Sequence, residues 1–358
     1  MKPLDKSLLP FSLCGRLDGD SGSGMSAPSF AVTAAGVAVS RRGRLGLYTH
    51  ALEAEIWGAR VEGRVTRPLV VGRSVWTSVL PGAIVECDLM SGSERRRLSY
   101  AKTGVLRAIA GDVLLVGRPR QYEAVDLTGR RLWARDVILP QHIVACGQSF
   151  LLNENRGSRL VCVDAHSGRE RWAFEPPVER QAESRRSRTM VAGFPSVSVV
   201  GDSALAITLD GRVFRLAIET GEITGKGRTP ILGAYTVGRD AVSFATPFVL
   251  SEFSLRDFAE MERIEYRREV EPLYRGAGPS VNGVCVTSEA AIWTTMDGAL
   301  MAVSRTDAPG RRRVWREELA RAIVAISDAP VAGAEHFYYT KKSPDSMELL
   351  CFGGLAGS

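Results

Sequence analysis

Histidine, lysine and closely spaced cysteine are all scarce in this chain of 358 residues. The four histidines, His50, His142, His166 and His336, stand far apart and outside any HExxH or HxH pattern. That removes the usual single-segment metal hydrolase sites. The six cysteines, Cys14, Cys87, Cys146, Cys162, Cys285 and Cys351, form no CxxC, so neither a zinc site nor a dithiol redox motif is written in them. In a reducing compartment they are expected to be small buried apolar groups. There is no GxSxG in a strand–elbow–helix context, no GxxxxGK[ST] and no GxGxxG, which leaves no phosphate cradle or nucleophile elbow. No apolar run is long enough to span a membrane. The first residues, Met1-Lys2-Pro3-Leu4-Asp5-Lys6, lead to a short apolar patch without a cleavage pattern, and no lipobox-like segment precedes Cys14. A cytoplasmic protein without membrane contact is expected. No long segment has a helical period. The expectation is a non-enzyme, with no catalytic, cofactor-binding or metal residues.

What the chain does have is a repeat. Leu160-Val161-Cys162-Val163-Asp164-Ala165-His166-Ser167-Gly168-Arg169-Glu170-Arg171-Trp172 reads as a strand, a tight turn and a second strand opened by an aromatic. Val125-Asp126-Leu127-Thr128-Gly129-Arg130-Arg131-Leu132-Trp133 repeats it, with Gly129 and Trp133 each 39 residues before Gly168 and Trp172. Weaker copies are Cys87–Gly92, with Arg96 where the Trp would stand, and Leu216–Ile223. Trp57 lies 76 residues before Trp133, two periods of 38. The Asp side chain can bond the backbone two residues on and start the turn. Gly supplies a positive φ without steric cost. The Trp is expected to cover apolar surface between neighbouring sheets, its indole N–H finding a partner at the edge. A fixed period near forty with strand-like units marks a propeller array.

The turn positions Glu53, Gly92, Gly129, Gly168, Gly221, Ala259 and Gly310 are separated by 39, 37, 39, 53, 38 and 51 residues. An Arg-rich loop at 178–190 explains the first long gap. The second is divided between Glu269–Pro279 and the Thr306–Arg313 turn. Ala259–Glu269 falls at a fourth-strand position and is read as strand. The C-terminal stretch offers three strands, Ile323–Ser327, His336–Thr340 and Glu348–Phe352, and the N-terminus a fourth at Leu9–Leu13. Strands from both termini would then close the ring and hide its last sheet edges. The fold class is all-β: a single propeller, 1–358, of four-stranded antiparallel blades, eight in number, with seven as the alternative. Residues 18–26, rich in Gly, Ser and Asp, are expected to be a flexible connection.

The formal net charge is +6, and lysine appears only at Lys2, Lys6, Lys102, Lys226, Lys341 and Lys342, so the positive charge is carried by arginine. Three clusters stand out: Arg95, Arg96 and Arg97; Arg180, Arg185, Arg186 and Arg188; and Arg311, Arg312 and Arg313. A solvated face is the plain reading. The functional one is a contact surface for an acidic protein, with nucleic acid not favoured. These ten arginines are the candidate partner-binding residues.

The turn-and-Trp pattern at 160–172 and 125–133 resembles the pyrroloquinoline-quinone-type (PQQ-like) β-propeller repeat, whose consensus reads ALDAxTGxxxW. The resemblance is partial at 85–92 and 213–223. It implies a propeller, and many members of that family bind no quinone and serve as scaffolds. Quinoprotein dehydrogenases of similar repeat are longer and often carry two adjacent Cys residues, which this chain lacks. Trp76 and Trp293, which could line an axial channel, are more simply core aromatics. The expected function is a non-catalytic scaffold that binds protein partners through its loop faces in a bacterial multi-protein assembly. The alternatives are a quinone- or small-ligand-binding enzyme using the central channel, and a nucleic-acid-associated subunit using the Arg-rich loops.

Overall fold

The computed structural model describes residues 12–18, 28–41, 43–99, 104–118, 120–136, 143–154, 158–177, 196–208, 211–228, 234–238, 240–246, 248–265, 281–286, 290–295, 299–308, 313–318, 325–326, 336–342 and 347–353. Eight antiparallel sheets are found among them. The first comprises Ser29–Thr33, Gly36–Arg41, Arg44–Tyr48 and Glu55–Arg60; the second, Arg64–Val65, Leu69–Val71, Ser74–Leu80, Ala83–Asp88 and Glu94–Ser99. The third comprises Val105–Ala110, Val113–Arg118, Gln121–Asp126 and Arg131–Asp136; the fourth, Ile143–Cys146, Ser149–Glu154, Arg159–Asp164 and Glu170–Phe174. The fifth comprises Ser196–Val200, Ser203–Ile207, Arg212–Ala217 and Ile223–Arg228; the sixth, Ala234–Val237, Ala241–Ala245, Val249–Ser254 and Glu260–Glu265. The seventh comprises Val281–Val286, Ala290–Thr295, Ala299–Ser304 and Val314–Glu318. The eighth joins Ala325–Ile326, His336–Lys342 and Met347–Gly353 to Ser12–Asp18.

The burial of each strand follows from its place in the sheet. Middle strands such as Val113–Arg118 and Arg159–Asp164 are buried almost throughout, because a neighbouring sheet covers each of their faces. Fourth strands such as Glu55–Arg60 and Ile223–Arg228 alternate exposed and half-buried positions. Along Arg159–Asp164 the side chains diverge by parity. Val161 and Val163 pack with Tyr122 and Ala124 of the third sheet, while Leu160 and Cys162 pack with Phe214 and Leu216 of the fifth. Similar clusters join the eighth sheet to the first, the first to the second, the second to the third, the fifth to the sixth and the sixth to the seventh. Val281–Val286 of the seventh sheet lies against Ala325–Ile326 of the eighth.

The strand contributed by the N-terminal region pairs with Met347–Gly353, as the missing fourth strand requires, but its position is corrected. It is described over Ser12–Asp18, so it shares Ser12 and Leu13 with the expected Leu9–Leu13 and runs on to Asp18; residues 9–11 lie outside the described residues. Leu17 is the residue that fixes it: it is buried with Val37, Val39, Tyr338 and Leu349. Asp18 pairs with Glu348, and its carbonyl accepts from Arg41 at 3.0 Å, so this first residue of the expected connection 18–26 belongs to the strand. Residues 19–27 lie outside the described residues, as do the loop 178–190 and Glu269–Pro279. Glu260–Glu265 is a strand as expected, and Trp76 and Trp293 are core side chains. Cys87, Cys146, Cys162 and Cys351 are buried, also as expected.

Candidate partner-binding faces and the seams between sheets

The repeat turns are built as their residue types dictate. Asp164 Oδ1 accepts from the Ser167 amide at 2.8 Å, and Asp126 Oδ1 accepts from the Thr128 and Arg130 amides at 2.9 and 3.0 Å. Asp88 accepts from Met90 and Ser91, both at 2.9 Å. These donors hold the carboxylates ionised. The Thr128 hydroxyl contributes most at Asp126, which is lowered to about 2; backbone amides of Ser167 and Ser91 lead at Asp164 and Asp88, both also lowered. Gly92, Gly129, Gly168 and Gly221 all have φ between 68° and 86°.

The sheets dock through a device that the local pattern only half shows. In the first six sheets a β-bulge shifts the register between the last two strands just beyond the turn. The Trp enters right after it: Trp57 stands opposite Leu47, Trp133 opposite Ala124 and Trp172 opposite Cys162. Each indole then lies on the turn glycine of the following sheet. A Cβ on Gly92 would sit 2.5 Å from Trp57, one on Gly168 2.7 Å from Trp133, and one on Gly221 2.5 Å from Trp172. The indole N–H donates to the carbonyl three residues before that glycine: Trp57 to Leu89 at 2.8 Å, Trp133 to Ala165 at 2.7 Å, Trp172 to Ile218 at 2.7 Å. The corresponding carbonyl of the first sheet belongs to His50, which accepts from the Tyr338 hydroxyl at 2.8 Å and the Cys351 thiol at 3.2 Å. The glycine therefore answers two demands, a positive φ and a neighbour's ring. The sequence reading supplied only the first.

The candidate arginines divide by position. Arg95, Arg96 and Arg97 lie on the last strand of the second sheet, and each meets a carboxylate of that sheet. Arg95 pairs with Asp88 and donates to Ser74 Oγ at 3.3 Å. Arg96, in the place of the repeat Trp, lies 6.0 Å over the Trp76 ring and 3.7 Å from Glu86. Arg97 forks onto Glu94 at 2.9 and 2.6 Å. Arg313 forks onto Asp307 at 2.8 and 3.3 Å and lies 5.5 Å over Trp315. Arg180, Arg185, Arg186, Arg188, Arg311 and Arg312 lie outside the described residues.

Charged groups that the sequence did not single out are paired between sheets. Glu154 binds Arg135 of the third sheet at 2.6 Å and Arg159 of its own at 3.0 Å, and Arg159 also binds Glu170 at 2.7 Å. Arg305 of the seventh sheet's turn reaches Glu252 and Glu262 of the sixth, each at 2.5 Å. A mixed-charge network of this kind has no sequence signature, because its members come from separate repeats. No group of three or more metal-ligating side chains occurs among the described residues. Among the described residues no helix is long and apolar enough to cross a membrane.

Residues 122–225 match the family model described as outer membrane protein assembly factor BamB. No curated protein sequence matches the chain. Among solved structures, BamB from Moraxella catarrhalis is similar with a TM-score of 0.62 and 14% identity, covering 96% of this chain and 99% of that one. The C-terminal WD40 domain of Sif2 gives 0.64 and 11%, with 95% and 97% covered. The computationally designed Ika8 protein gives 0.59 and 12%, with 92% and 98% covered. These likenesses extend over nearly the whole chain and are likenesses of fold. Residues 122–225 thus match the PQQ-like β-propeller repeat model, in an all-β chain whose antiparallel sheets, seven of them four-stranded and one five-stranded among the described residues, have a propeller's fold.

Proposed function

We propose that the eight sheets form a closed ring of eight blades, and that this ring is a non-catalytic scaffold for protein partners. It serves as a cytoplasmic subunit of a bacterial multi-protein assembly. The observation that carries this reading is the seam chemistry. Trp, Tyr, Cys and Arg side chains from one sheet are spent on a backbone carbonyl of the next, and turn carboxylates are spent on their own turns. Such docking makes a rigid frame whose short turns present broad faces at little entropic cost, which suits binding. The likeness to a protein named as an assembly factor agrees with it. The pairing of Arg95, Arg96, Arg97 and Arg313 with the chain's own carboxylates favours a protein partner over a nucleic acid.

Affinity purification of the full chain from its native host, with mass spectrometry of what co-elutes, tests the proposal. A protein recovered in stoichiometric amount is expected. A chain that elutes alone but takes up a quinone or a small ligand in titration would overturn it. The Arg-rich loop at 178–190 is proposed to dock an acidic surface of that partner. Replacing Arg185, Arg186 and Arg188 with Ser is expected to weaken the complex, with the remaining affinity less sensitive to salt. Unchanged affinity across a salt series would assign the loop to solvent.

A further inference from the structure

The seam between the fifth and sixth sheets departs from the one before it, where Trp172 lies on Gly221. Four residues after Gly221, where Trp133 and Trp172 stand in their own repeats, the chain has Gly225. In the next turn, where the second to fifth sheets have Gly92, Gly129, Gly168 and Gly221, it has Phe258 at φ 57°. The pair is inverted: the ring comes from the sixth sheet, and a Cβ on Gly225 or Gly227 would meet Phe258 at 2.9 or 2.8 Å. The docking carbonyl is kept. It belongs to Leu255, and it accepts from Arg215 at 2.7 Å instead of from an indole.

Phe258 packs in the cluster that holds Leu205 and Leu255, and a cleft remains beside it. Trp172 packs in one cluster with Leu151, Cys162 and Ile218. By register their counterparts here are Leu205, Arg215 and Leu255. Those three line a cleft of about 640 Å³, with Met261, itself 62% exposed, beside them. That volume is in the range that accepts a small ligand. Asp202, Asp240 and Asp257 surround the cleft against two cations, Arg215 and Arg256. Arg215 is engaged with Leu255 and with Thr224 at 3.1 Å.

We infer that this cleft receives an aromatic side chain of a protein partner, from a segment that carries lysine or arginine beside the ring. Two of its walls, Leu205 and Leu255, are apolar and stand where Leu151 and Ile218 hold an indole in the neighbouring seam, while Arg215 stands in the place of Cys162. The carboxylates favour a cationic flank, and a ring is bound at low conformational cost. The inference rests on the scaffold reading and names where, and to what chemistry, the scaffold binds.

The test uses the full chain and fluorine NMR. The probes are 5-fluorotryptophanamide, whose ring lies next to an ammonium, and N-acetyl-5-fluorotryptophan, whose ring lies next to a carboxylate. Saturable binding of the amide is expected, with the acid weaker by about tenfold. The variant Gly225→Trp with Phe258→Gly restores the repeat pattern and lets the chain fill its own cleft, so it should lose the amide. Asp240→Lys and Met261→Arg, both at exposed positions, should lose it while keeping the wild-type circular dichroism. No saturable binding by wild type, equal binding of the two probes, or undiminished binding by Asp240→Lys and Met261→Arg would overturn the inference. A wild-type dimer dissolved by the double variant would also overturn it, in favour of a second copy. If the host partner co-purifies equally with Met261→Arg, the scaffold stands and the cleft is not its site. If the host yields no partner while the amide still binds wild type, the scaffold reading fails by itself.

Discussion

At Gly129 and Gly168 the same residue type is required for different reasons. Both have a positive φ, 86° and 68°, but a Cβ on Gly129 meets nothing within 4 Å, whereas one on Gly168 meets the Trp133 indole at 2.7 Å. Gly129→Ala is therefore expected to cost about 1–2 kcal/mol, the left-handed backbone penalty alone. Gly168→Ala should cost at least about 1 kcal/mol more, the added cost of overpacking a seam. Trp172→Ala, at a ring only 8% exposed, is expected to cost about 3–5 kcal/mol, and Trp133→Ala, at a half-buried ring, less. Urea unfolding of the four variants checks the order. Equal costs for the two glycine variants would remove the indole from the account.

At the scale of the element, the turns are acid-sensitive. Asp126 is lowered to about 2, first by the Thr128 hydroxyl, and Asp307 to about 2, first by the Arg313 guanidinium. Both folded values lie below the unfolded carboxyl value of about 3.9. A depressed folded pKa contributes stability that is fully present above the unfolded value and lost as pH falls through the folded one. Thermal stability is thus expected to decline as pH falls from about 4 towards 2. Asp126→Asn should be less stable than wild type at neutral pH, and the difference should shrink across that window. A difference that stays constant from neutral pH to pH about 2 would mean that the carboxylate's charge contributes nothing to the turn.

For the whole molecule, the eighth sheet is the element that joins the two ends of the chain. Ser12–Asp18 pairs with Met347–Gly353, and Tyr338 and Cys351 bond the His50 carbonyl of the first sheet. Deleting residues 1–18 would leave Met347–Gly353 an open edge and strip the cover that Leu17 gives the core shared with the first sheet. The expected result is aggregation or a large fall in Tm, read by light scattering and calorimetry. A truncated chain as soluble and heat-resistant as the full one would show that Ser12–Asp18 does not secure the junction.

The sequence by itself determined what depends on near neighbours along the chain. Alternation of apolar residues marked the strands, and Asp-x-x-Ser-Gly marked the turns, because a carboxylate capping amides two to four residues away and a glycine at positive φ are local matters. The period near forty then implied a repeated sheet, and the shortage of strands at the C-terminus implied one lent by the N-terminal region. Only the tertiary structure decided what each repeat does to the next. That Gly168 is the floor under Trp133, and that Arg95 and Arg96 face carboxylates of their own sheet, follow from registers set by bulges and by sheet-to-sheet packing. The same holds for the cleft. Gly225 read locally is an unremarked residue in a strand, and Phe258 an unremarked residue in a turn. Their exchange of roles appears only when two sheets are laid together, because the ring and the space it fills come from different repeats.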